Sequence, residues 1–176
     1  VRVIEARTRT KGSPYYKINP SGRVPYLVCE DGTGLEESQL ICSYLDHFEG
    51  NPILNHPLSL DEWESRRLEA LARSMLDGVS VWARELTRAK NEQSPTIINH
   101  EKERARRMTL VWESEISNSL MNGPLNMPQL TLAVTLNMEH YIDGFEVESR
   151  CQKLRAWAKR VAERPSFKKL LPNLAK

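Results

Sequence analysis

The sequence predicts an α/β unit followed by an all-α unit, on three observations. Between Asn19 and Ser38 the chain reads NPSGRVPYLVCEDGTGLEES, a β-type run with a hairpin signal that ends where an amphipathic helix begins. Around Gly50, Pro52 and Pro57 periodicity is lost, as in a linker between domains. Beyond it, apolar residues recur at helical spacing almost to the C-terminus. The expected division is therefore residues 1–49 as the α/β domain and 57–176 as the all-helical domain.

Taking the elements in order, Val1 to Ala6 sets Val1, Val3 and Ala6 against Arg2 and Glu5, and is β-branched enough to be expected as a strand. Arg7 to Lys17 is a polar loop centred on Gly12-Ser13-Pro14. Pro25 has no N–H, so it fits the first position of a strand through Tyr26-Leu27-Val28. A cis Val24-Pro25 bond would turn the main chain of Val24 outward, where an extended peptide could pair with it; spacing alone does not establish that isomer. Asp31-Gly32 supplies a reversal into Gly34-Leu35 and hence a two-stranded hairpin. Ser38 then opens a helix through Ile41, Tyr44, Leu45 and Phe48, either as a plain N-cap or as a donor to a carboxylate at the positive helix end.

In the second half Ser59 and Glu62 have capping-box spacing. Leu68, Leu71, Ala72, Met75, Val79, Trp82, Ala83 and Leu86 then mark one face of a helix about five turns long. Ser94-Pro95 caps a second helix, with Ile98, Ala105, Met108, Trp112, Ile116 and Leu120 on its inner side. Its run KERARR has Glu101 and Glu103 inside it and no aromatic interleaving, which describes a solvated face better than a nucleic-acid footprint. After the break NGPLNMP a helix is expected from Thr131 through Leu132, Leu136 and Tyr141, ended by Asp143-Gly144. The last long helix is expected over 147–164, with Leu154, Trp157, Ala158 and Val161 inward and Pro165 stopping it.

Composition narrows the classes. The 25 basic and 23 acidic side chains leave a net charge of +2, too small to draw the chain to nucleic acid or to an anionic membrane. No apolar run reaches the roughly 20 residues of a membrane span. The three cysteines, Cys29, Cys42 and Cys151, form no CxxC pair, which points to reduced thiols in the cytoplasm, with Cys29 and Cys42 as small buried hydrophobes. His47, His56, His100 and His140 have no metal-ligand spacing, so no metal site is expected. Trp82, Met108 and Trp112 suit a helix core better than an apolar pocket between domains.

The strings NPSGRVPYLV, EDG and LEESQLICSYLD closely resemble the glutathione transferase family, whose pattern there is NP-x-G-x-VP, a DG hairpin and L-x-ES-x-x-I-x-x-YL. RPSF at 164–167 resembles the closing element of many bacterial members. The resemblance implies a truncated thioredoxin-like N-terminal domain followed by a glutathione-transferase-type helical bundle. It implies glutathione as co-substrate, a small apolar electrophile as its partner, and a homodimer. The residue before the cis-proline, Val24 ahead of Pro25, pairs in the family with the cysteinyl backbone of glutathione, and the Glu37-Ser38 pair holds the γ-glutamyl end. Arg23, and more loosely Lys11, are the candidates for the glycine carboxylate, while Tyr15 and Tyr16 are expected to pack the loop.

The helix expected from Thr131 matches a buried helix that family members begin with a Ser/Thr-x-x-Asp capping box, whose acidic position here is Val134. A strand and helix of roughly 30 residues precede the equivalent of Val1 in the family and carry the thiol-activating Tyr, Ser or Cys. No catalytic residue is therefore assigned. The implied function is conjugation of the glutathione thiol to electrophiles. The alternatives are a non-catalytic binding module of the same fold and a glutathione-dependent peroxidase or reductase.

Overall fold

Asp31 Oδ1 accepts the backbone N–H of Thr33 at 2.8 Å, Gly32 takes φ 87°, and Gly32 N–H closes on the Cys29 carbonyl at 3.0 Å. These bonds reverse the chain, as the Asp-Gly signal requires. In this computed structural model, which describes residues 1–48, 50–54 and 62–170, the reversal joins β1 (Tyr26–Val28) to β2 (Gly34–Glu36). The pairing is antiparallel, with Tyr26 opposite Glu36, Leu27 opposite Leu35 and Val28 opposite Gly34. Gly34 is needed for packing: a Cβ there would stand 1.8 Å from the Tyr26 hydroxyl. Helix α1 (Ser38–His47) follows directly, and Ile41 is its buried residue.

The chain divides into two compact units, Val1–Asn55 and His56–Lys176. The expected first strand is not there: residues 1–6 make no ladder, and Val1, Val3 and Ile4 are exposed. Alternation alone does not make a strand without a partner edge, and Ile4 already breaks the alternation.

The second unit is helical throughout its regular structure: α2 (Glu62–Leu86), α3 (Pro95–Glu115), α4 (Met127–Asn137), α5 (Gln152–Ala162) and α6 (Pro165–Leu170). Helix α2 packs on α3 and α4, and α5 packs on both of these. Leu68, Ala72, Met75, Val79 and Trp82 of α2 are buried, as their period predicts, and so are Ala105, Trp112 and Ile116. Trp82 and Trp112 thus belong to this core. Gly78 lets α3 come close, since a Cβ there would sit 2.5 Å from Glu101 Oε2. That carboxylate pairs with Arg104, which in turn donates to the Ser74 carbonyl at 2.7 Å.

Four expected boundaries move: α3 ends at Glu115, short of Leu120, and three others shift as follows. Helix α4 starts at Met127, not Thr131, because Asn126 Oδ1 caps it by accepting the Gln129 N–H at 3.0 Å, with Pro128 in the first turn. Thr131 is buried inside the helix, where its carbonyl accepts the Thr135 hydroxyl, so Val134 costs no cap. The helix ends at Asn137, before Tyr141 and the Asp143-Gly144 turn. The last long helix starts at Gln152, not Val147, with Glu113 accepting the N–H groups of Lys153 and Leu154 at 3.1 and 2.9 Å. Pro165 begins α6 as well as ending α5, again by occupying a first-turn position that needs no N–H. The Ser59 cap lies outside the described residues. Among the described residues no helix is long and apolar enough to cross a membrane.

Candidate functional site

The hairpin register brings the sequence-predicted residues to one place. Tyr26 and Glu36 end the ladder away from the Asp31-Gly32 turn, so Val24-Pro25, just before Tyr26, and Glu37-Ser38, just after Glu36, leave the hairpin at the same end. The Val24-Pro25 peptide is cis. Val24 is 58% exposed, and among the described residues no hydrogen bond to its main chain is formed. A free N–H and C=O on an exposed strand extension are what an incoming extended peptide requires.

Behind this edge lies a polar support. Asn19 is only 2% exposed, and every polar atom of its side chain is engaged. Its Oδ1 accepts the Ser21 N–H at 3.1 Å, and its Nδ2 donates to the Arg23 carbonyl at 3.0 Å and to the Tyr15 hydroxyl at 3.5 Å. The Tyr15 hydroxyl also donates to the Arg23 carbonyl. Ser21 Oγ then donates to Glu36 Oε1 at 2.7 Å and accepts the Arg23 N–H at 3.1 Å, tying the turn to β2. Gly22 at φ 68° completes it; a Cβ there would meet the Tyr16 ring at 2.8 Å. Asn19, Ser21 and Glu36 were not singled out in the sequence. The signal was present in Asn-Pro-Ser-Gly, because Asn readily bonds its own backbone two residues on.

At the tip of α1 the cap is Glu37, not Ser38. Glu37 has φ 78° and ψ 118°, a conformation rare for a side chain of its size, and Oε1 accepts the Ser38 N–H at 2.9 Å and its hydroxyl at 3.4 Å. Ser38 is thus the first helical residue, half-buried, with both donors at the positive end of the helix dipole. Glu37 is exposed, and among the described residues no cation pairs with it.

The remaining candidates separate from this cluster. Arg23 is held through its backbone by the support and is exposed, three positions before the ladder; Lys11 is exposed in the preceding loop. Tyr15 and Tyr16 pack the loop as expected. Cys29 and Cys42 are half-buried, not buried, while Cys151 is the buried one, its thiol pushed up first by desolvation. The hydrogen bond and charge interaction with Cys29, with smaller contributions from burial and from Asp31 and Glu30, push the Tyr44 phenol above its ordinary value. An apolar cavity of about 490 Å³ lies beside β1, lined by Ile4, Val28, Cys29, Tyr44, Leu45 and Phe48 among others, and includes none of Val24, Pro25, Glu37 or Ser38. Among the described residues no group of metal-ligating side chains converges.

The chain is similar in sequence and fold to known proteins. Residues 1–47 match the family model described as glutathione S-transferase, N-terminal domain. Glutathione S-transferase 2 of Saccharomyces cerevisiae is 30% identical over 161 residues, covering 87% of this chain and 69% of the relative. The crystal structure of Gtt2 from Saccharomyces cerevisiae superposes with a TM-score of 0.78 at 27% identity, over 89% of this chain and 78% of that one. A glutathione transferase family member from Pseudomonas fluorescens Pf-5, with bound S-(propanoic acid)-glutathione, gives 0.76 at 25% identity over 95% and 83%.

Proposed function

We propose that this chain, which belongs to the glutathione transferase family, binds glutathione at the open end of its hairpin and conjugates the thiol to a small apolar electrophile. The observation that carries the reading is the open end of the hairpin, which the exposed Val24, two residues before the ladder, shares with Ser38 at the N-terminus of α1. A tripeptide laid across that end meets matching chemistry at each point. The main chain of Val24 pairs with the cysteinyl N–H and C=O as an added strand would. The Ser38 N–H and hydroxyl, backed by the dipole of α1, receive the γ-glutamyl carboxylate. Glu37 is the candidate for the neighbouring ammonium, and the Arg23 guanidinium is the candidate for the glycine carboxylate.

The family member from Pseudomonas fluorescens has S-(propanoic acid)-glutathione bound, which supports a glutathione ligand for this chain. In the proposed reaction the glutathione thiolate forms a sulfur–carbon bond to the electrophile, and the bond to the leaving group breaks with its electron pair. The residues described above hold and orient the tripeptide. The thiol-lowering group is assigned to none of them. A homodimer in the cytoplasm completes the reading.

Calorimetry tests it. The protein should give heat with glutathione, and Ser38→Ala should weaken binding about tenfold, as for loss of a hydrogen bond to a charged group. Absence of heat from the parent, or an unchanged affinity in the variant, rejects the assignment. Binding without turnover of an aryl halide would leave a binding module in place of an enzyme.

A further inference from the structure

We infer that Glu36 is a positioning residue, which through Ser21 fixes the main chain around Val24 relative to the Glu37-Ser38 end of α1. The inference rests on the glutathione site proposed above and adds to it a residue that itself touches no ligand. Its basis is where the backbone stops holding the hairpin together. The ladder ends at Tyr26 and Glu36, and Pro25, which has no N–H, cannot continue it. Beyond that pair the two arms of the open end depend on side chains. Among the described residues one hydrogen bond crosses between 19–25 and 36–38: Ser21 Oγ donates to Glu36 Oε1 at 2.7 Å.

Ser21 passes that restraint to the chain before Val24. Its Oγ also accepts the Arg23 N–H at 3.1 Å, while the Arg23 carbonyl is held by Asn19 Nδ2 at 3.0 Å and by the Tyr15 hydroxyl. Both polar groups of the Arg23 backbone are thus occupied. The Arg23 carbonyl and the Val24 N–H belong to one planar trans peptide and point in opposite directions, so holding the carbonyl sets the direction of the N–H. On the other arm, Glu36 directly precedes Glu37 and Ser38 in the chain. One carboxylate therefore joins the main chain proposed for the cysteinyl unit to the groups proposed for the γ-glutamyl end. Without that tie each arm keeps its own hydrogen bonds, but a ligand that spans both has to restore their spacing when it binds, at a cost in affinity.

The test is calorimetry with glutathione on the parent, Ser21→Ala, Glu36→Ala, the double alanine variant and Glu36→Gln. Each single alanine should weaken binding about fivefold, the worth of one ordinary hydrogen bond. The double variant should be about as weak as either single one, because both break the same bond. Gln keeps an oxygen acceptor of the same reach without the charge, so Glu36→Gln should stay within about twofold of the parent. In ¹⁵N spectra of the protein without ligand, Glu36→Ala should also move the amide signals of Arg23 and Val24, which are distant from it in sequence. Parent affinity in Glu36→Ala, alanine effects that add, or unmoved Arg23 and Val24 signals each overturn the inference. If Glu36→Gln is as weak as Glu36→Ala, Glu36 acts on the ligand through its charge, and the positioning role is wrong while the site reading stands. No heat from the parent with glutathione overturns the site reading and this inference with it.

Discussion

In the helical unit Leu68, Trp82, Trp112, Leu132, Leu154 and Trp157 are each at most 1% exposed, whereas the described part of the α/β unit fully buries a single apolar side chain, Ile41 at 7%. Its other buried side chains are Ser13 and Asn19, and both act through hydrogen bonds: Ser13 Oγ donates to the Arg7 carbonyl at 2.7 Å, and Asn19 carries the turn before Val24. Apolar packing is non-directional and tolerates small shifts, so it supplies stability. Hydrogen bonds to main-chain groups fix position to a few tenths of an ångström, which a site built from backbone atoms requires. The proposed ligand contacts fall in the unit with the directional bonds.

The largest expected effect tests this contrast. Leu154→Ala should cost roughly 2–5 kcal/mol in urea unfolding, because a buried leucine leaves a cavity. Half-buried Leu27→Ala in β1 should cost only about 1 kcal/mol, in proportion to the smaller apolar area it buries. Equal costs would break the comparison. Next comes Gly22→Ala, which forces an alanine to φ 68° against the Tyr16 ring and should cost about 1–2 kcal/mol locally. All four tryptophans, Trp63, Trp82, Trp112 and Trp157, lie in the helical unit, so their fluorescence reports that unit. Gly22→Ala should leave the fluorescence midpoint unchanged while amide exchange speeds up across 15–38. A shifted midpoint would show that the turn is not a local device.

The smallest effect concerns acid. Hydrogen bonds from Arg67, with a smaller one from Asn118, hold the Glu64 carboxyl below the usual carboxylate range, and Glu115 completes the cluster. A carboxylate whose folded value lies below its unfolded value stabilises the fold above the unfolded value, near 4, and the gain is lost as pH falls through the folded one. Glu64→Gln should therefore lower the fluorescence midpoint slightly at pH 7 and not at all near pH 2. An equal loss at both pH values would contradict the ion-pair origin.

Much of this was legible before any coordinates. The inner faces of α2, α3 and α5 follow from a period of 3.6, and the hairpin follows from Asp31-Gly32. What was not legible depended on groups distant in sequence. Nothing near Val147 says that Glu113 will cap a helix at Gln152, or that Asn126 will outcompete Thr131 as a cap. At the proposed site, Val24, Pro25, Glu37 and Ser38 follow from the motif, whereas of the Asn19 support only the local bond to Ser21 was signalled, not the bonds to Tyr15 and Arg23 on either side. The local exchange that makes Glu37 the cap of its own helix was also hidden, because Ser is the commoner capping residue and only the positive φ of Glu37 reverses the order.

The most direct measurement of the central claim is an ¹⁵N-resolved titration of the protein with glutathione. The amide signals of Val24 and Ser38 should move together, with one saturation curve, while those of the buried helical core around Leu132 and Leu154 stay in place. Shifts confined to the helical unit, or Val24 and Ser38 saturating at different glutathione concentrations, would contradict a single site at the open end of the hairpin.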